Sequence, residues 1–161
     1  MSIGELLYRT LVIGIGATVI FDLWGQLLNK AAGIPLPNWA MVGRWFAYLP
    51  RGRLHHTNIA ETPPVANELA IGWIAHYAVG VSFAFVTLLI GGAIWAKAPT
   101  WPLPLIVGLV TVGCGWFILA PGMGAGIAAS KKPNANQIRF LNVAAHTVFG
   151  FAMYFVALAI R

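Results

Sequence analysis

Four long apolar runs dominate the chain, at roughly 3–28, 69–95, 102–129 and 138–160, and polar residues are confined largely to the stretches between them. A hydrocarbon layer about 30 Å thick needs about 20 apolar residues per helix, and each run meets that length. The pattern therefore predicts an all-α polytopic membrane protein, with four transmembrane helices and one membrane domain over 1–161. The first run carries Thr18, Asp22, Gln26 and Asn29 at spacings of four, four and three, so one side of its helix is polar. Pro35 and Pro37 exclude a continued helix. Beyond them Trp39, Val42, Trp45, Phe46 and Leu49 share a face between Asn38, a suitable N-cap, and Pro50, a stop. This predicts a short helix at about 38–49, lying in the membrane interface within a loop spanning 30–67. The third run ends in Pro121, Gly122, Met123, Gly124, Ala125 and Gly126, an interruption that a membrane tolerates only where protein or water covers it.

A twelve-residue pattern occurs twice, seventy positions apart: Ala75, His76, Gly80, Phe85, Val86 and then Ala145, His146, Gly150, Phe155, Val156. Histidine is rare in such runs because a ring nitrogen in hydrocarbon needs a partner. The recurrence predicts two repeated helix pairs with an imidazole at the same depth in each.

Composition sharpens the class. Only 9% of residues are charged and 59% are hydrophobic, against about 25% charged in a soluble domain. The net charge of +6 does not point to nucleic acid, because seven of the ten Lys and Arg side chains lie in the loops 30–67 and 130–139. Arg9, Lys97 and Arg161 are the three on the opposite side. The positive-inside rule then places both termini outside, the basic loops in the cytoplasm, and anionic phospholipid beside those loops. Cys114 is the single cysteine, so no intrachain disulfide forms.

Glu68, Gly72, His76 and Gly80 step by four along the second span, and Ile138, Asn142, His146 and Gly150 do so along the fourth. His76 lies ~12 Å deeper than Glu68 at 1.5 Å per residue, and Asp22 on the oppositely directed first helix reaches a similar depth. Asp22, Glu68, His76, Asn142 and His146 are accordingly the expected ligand- or proton-binding layer, with His76 facing His146 and Asp22 pairing with His76. Secondary candidates are His56, and Gly122, Met123, Gly124 and Lys131 as an anion-binding loop.

The run Pro50-Arg51-Gly52-Arg53 with His56 and Ile59, then Glu68, Gly72-Trp73, His76-Tyr77 and Gly80, then Pro121-Gly122-Met123-Gly124-Ala125-Gly126 and His146, resembles a family of small bacterial four-helix membrane proteins catalogued as a domain of unknown function. The resemblance implies the bacterial inner membrane and supplies no activity. No nucleotide-binding loop, nucleophile elbow or dinucleotide fingerprint marks an enzyme. The polar layer suggests a small carrier or channel, proton-coupled through its histidines and expected to dimerise because four helices enclose little room. Two alternatives stand beside it. His76 and His146 could hold a b-type haem or a divalent metal ion, or the polar layer could be purely structural in an accessory subunit.

Overall fold

The computed structural model describes residues 1–161 and is all-helical, without a β-strand. Four helices are long and apolar enough to cross a membrane. We label the main helices α1 (Ile3–Ala32), α2 (Trp39–Tyr48), α3 (Glu68–Lys97), α4 (Pro102–Gly122) and α5 (Ala135–Ala159).

Local chemistry sets most of the helix ends. Ser2 caps α1 by accepting from the Glu5 N–H at 3.1 Å, and Gly33, left-handed at φ 66°, returns its N–H to Asn29. Asn38 caps α2 by accepting from Met41 N–H at 3.1 Å, so the predicted short helix forms almost where its face pattern puts it. The third span is shorter than its apolar run. It widens into a π-helix over Gly115–Leu119, where Ala120 N–H reaches back to Gly115, and it ends at Gly122 instead of continuing to 129. Past that point Gly124 and Gly126 take positive φ, and so do two alanines, Ala128 and Ala129, so the backbone cannot stay helical. Gly92 likewise breaks the regular dihedrals of α3 near its end, at φ 61° and ψ −164°.

The chain forms two compact units. Met1–Leu36, Tyr77–Thr111 and Val143–Arg161 make the first, and Pro37–His76 with Val112–Asn142 make the second. The first unit is built on the apolar cluster of Ile13, Ala17, Ala84, Leu88, Phe149 and Met153, to which Val107 adds a contribution from α4. Small residues bring its helices together. A side chain at Gly80 would strike the Thr18 hydroxyl, and one at Gly150 would lie 2.8 Å from Leu105 Cα. Arg9 ties the helix ends. Its Nη1 donates to the Ala96 carbonyl at 3.1 Å and the Ile160 carbonyl at 2.9 Å, placing a cation at the C-terminal ends of α3 and α5.

In the second unit α2 packs directly on the first turns of α3. A Cβ at Gly43 would overlap the Glu68 carbonyl, and one at Gly72 would overlap the Trp39 carbonyl, so the backbones touch. The segment 54–59 pairs with the end of α4 like a strip of sheet: His56 N–H donates to the Gly122 carbonyl at 2.9 Å and Ile59 N–H to the Met123 carbonyl at 3.1 Å.

Candidate functional site

Asp22 and His146 belong to the first unit. Asp22, on α1, accepts a hydrogen bond from the Tyr77 hydroxyl at 3.1 Å. Its neighbour Phe21 meets the His146 ring edge-on, with centroids 6.3 Å apart. His146, on α5, is held by α4. Its Nδ1 lies 3.0 Å from the Gly108 carbonyl and 3.2 Å from the Thr111 hydroxyl, which itself donates to Gly108 at 2.8 Å. The carbonyl can only accept, so with Thr111 also donating to it the proton belongs on Nδ1 and the lone pair on Nε2. Nε2 is then the basic end of the ring. The first unit thus holds a carboxylate, a phenol and an oriented imidazole, joined through the adjacent residues Phe21 and Asp22.

Glu68, His76 and Asn142 belong to the second unit. Glu68, at the first residue of α3, forms a two-pronged ion pair with Arg44 of α2: Nε to Oε2 and Nη2 to Oε1, each at 2.8 Å. The Glu68 carboxylate also accepts from Val65 N–H at 3.0 Å, and Arg44 Nη1 donates to the carbonyls of Ile59, Ala60 and Thr62. Those carboxylate hydrogen bonds raise the Arg44 pKa above its already high ordinary value, so the guanidinium stays charged. Glu68 therefore anchors α2 and the loop 59–62 to the head of α3. His76 stacks on Trp39, with centroids 4.0 Å apart and planes inclined by 27°, and Trp73 meets its edge at 5.9 Å. Asn142, with its amide oxygen turned towards Trp116, accepts from the indole N–H at 3.2 Å and donates to the Ile138 carbonyl at 3.3 Å.

The secondary candidates have structural partners. His56 is 4% exposed, its Nδ1 lies 3.2 Å from the Gly122 carbonyl, and its Nε2 is buried without a hydrogen bond. A side chain at Gly122 would strike the Trp45 indole, and one at Gly124 would strike the Thr57 carbonyl. These glycines are what lets segment 54–59 close against the end of α4. Many backbone donors of the loop expected to bind an anion are taken within the loop. Met123, Gly124 and Ala125 N–H return to Leu119, Pro121 and Ala120, and those of Ala129, Ser130, Lys131 and Lys132 also go to carbonyls of the same loop. No group of three or more His, Cys, Asp or Glu side chains is placed to hold a metal ion.

Residues outside the expected ligand- or proton-binding layer carry much of this arrangement. Tyr77 and Thr111 complete the first cluster, and Arg44 and Trp39 the second. A signal existed for Tyr77 and Arg44, since a tyrosine follows the first patterned histidine and an arginine sits inside an otherwise apolar amphipathic helix.

The family described as Protein of unknown function (DUF2938) matches residues 11–160. No curated protein and no solved structure matches the chain.

Proposed function

The chain belongs to the DUF2938 family, and we propose that it is an integral membrane carrier or channel that moves a proton or a small ion or solute past the cluster of Asp22, Tyr77, Thr111 and His146. One observation carries this reading. Within helices long and apolar enough to cross a membrane, a carboxylate bonded to a phenol directly follows Phe21, whose ring meets an imidazole held at Nδ1 by a backbone carbonyl. Ionisable groups in such surroundings are costly to keep and mark ion or proton paths. An imidazole can take a proton at one ring nitrogen and give one from the other.

On this reading the repeated pattern reflects a duplicated helix pair. Gly80 meets Thr18 of the preceding long helix, as Gly150 meets Leu105 of α4, so the glycine one turn beyond each histidine makes the same kind of close contact. The basic loops face the cytoplasm of a bacterium, and both termini lie outside.

The test is flux in liposomes that contain the purified protein and a trapped pH-sensitive dye, driven by a potassium diffusion potential. Protein-dependent acidification or solute-coupled proton movement is expected, lost in Asp22→Asn and reduced in Tyr77→Phe. No flux above empty liposomes, or full flux in folded Asp22→Asn, overturns the proposal. A haem absorption band in the purified protein would instead favour axial ligation by histidine.

A further inference from the structure

Two arginines of the second unit converge on one aromatic ring. The guanidinium carbon of Arg51 lies 5.0 Å from the centroid of the Tyr48 ring, and that of Arg53 lies 5.5 Å from the same centroid. The backbone explains the convergence. After α2 the chain makes one tight turn over Leu49–Arg51, and Gly52 at φ 74° closes it by donating to the Leu49 carbonyl at 2.9 Å, while Arg53 N–H returns to the Tyr48 carbonyl at 3.2 Å. This paired capping through a left-handed glycine normally folds an apolar residue back onto the last helical turn. Here the residue folded back is Arg53, and the residue it covers is Tyr48.

The platform is rigid. The Tyr48 hydroxyl donates to the Pro63 carbonyl at 3.1 Å, and the buried His56 ring meets the tyrosine at 5.3 Å and 73°. The cations on it are not neutralised. Arg9 pairs with Glu5 and Arg44 with Glu68, and neither Arg51 nor Arg53 has a carboxylate within ion-pair distance. Both are exposed, and two guanidinium carbons this near one centroid lie within about 10.5 Å of each other, close to the screening length of about 8–10 Å in ordinary salt. Like charges held together by the fold, without an internal acid, call for an external anion. Guanidinium forks match the non-bridging oxygens of phosphate.

We propose that Arg51 and Arg53, presented on Tyr48, form a binding site for the phosphate of an anionic phospholipid. Leu54, exposed next to Arg53, gives the apolar surface that a lipid chain needs and a free phosphate does not. The proposal rests on the membrane reading above but uses none of the groups assigned to the translocation path, so it stands whether or not that path conducts.

The test is native mass spectrometry of the full chain in detergent, with phosphatidylglycerol, phosphatidylcholine and soluble glycerol 3-phosphate as separate probes. Retention of phosphatidylglycerol should exceed that of phosphatidylcholine by about tenfold, as expected for charge-assisted bidentate contacts. Arg51→Gln/Arg53→Gln should abolish the preference, Arg51→Lys/Arg53→Lys should weaken it, and Lys131→Gln/Lys132→Gln should leave it. Retention of phosphatidylcholine by the unaltered chain reads the membrane assignment separately from the arginine site. Equal retention of the two lipids, an equal loss in the lysine variant, or glycerol 3-phosphate binding as tightly as the lipid overturns the proposal.

Discussion

Removing Arg44 should destabilise the protein more than removing the charge of its partner Glu68. Arg44 makes two hydrogen bonds to the carboxylate and further ones to the carbonyls of Ile59, Ala60 and Thr62, whereas Glu68 has only Val65 N–H besides Arg44. Arg44→Met strands a carboxylate that is 17% exposed, and it also frees the loop carbonyls. Breaking one side of a buried pair costs ~3–5 kcal/mol, and the partial exposure of this one favours about 3 kcal/mol. Glu68→Gln keeps a hydrogen-bonding side chain and leaves the guanidinium its carbonyl partners, so a loss of about 1–2 kcal/mol is expected. At ~2–4 °C per kcal/mol for a chain of this size, the midpoints should fall by about 6–12 °C and about 2–8 °C respectively. Thermal unfolding in detergent, followed by tryptophan fluorescence, reads both. The double variant should lose less than the two single losses combined, because the stranded partner is removed with its mate. Equal single losses that add without coupling would refute the clamp.

Gly43→Ala should be severe, ~3 kcal/mol or more, because its Cβ overlaps the Glu68 carbonyl, whereas Gly4→Ala, with open space around it, should be neutral; paired unfolding midpoints decide. Arg9→Met should lower stability by ~2–3 kcal/mol through the carbonyls of Ala96 and Ile160, and hydrogen exchange should show the ends of α3 and α5 fraying first. Trp45→Phe removes the indole N–H that donates to the Leu54 carbonyl at 2.9 Å, for a loss of ~1 kcal/mol measured by denaturant titration.

The amphipathic helix before Pro50 was legible because its boundaries are written in local chemistry: an N-cap, a run of aromatics on one face, and a proline. The length of the third span was not. Nothing polar interrupts residues 120 to 129, so hydropathy runs on past the π-helix and the left-handed alanines that end the helix at Gly122. Periodicity also names a face without naming what covers it. Glu68, Gly72 and His76 do share a stripe of α3, but it is α2 that lies on the start of that stripe, through Gly43 and Trp39, and gives Glu68 an arginine. Sequence spacing cannot supply that, because the partner lies 24 positions earlier on a separate helix. Arg9 shows the same limit. Counted only as a surface charge, it turns out to hold two helix ends whose carbonyls lie 87 and 151 positions away.

The pairing of segment 54–59 with the end of α4 also imposes an order on biosynthesis. The amides of His56 and Ile59 find their acceptors only at Gly122 and Met123, about 65 residues later. At ~5–20 residues per second, the segment waits roughly 3–13 s on the ribosome with those donors hydrated and the His56 ring uncovered. A nascent chain arrested before residue 122 should therefore leave this stretch open to protease, and one long enough for residues 122–125 to have left the ribosome should protect it. The interval in which a chaperone can reach the segment is set by the distance between two short stretches of sequence and by the speed of translation.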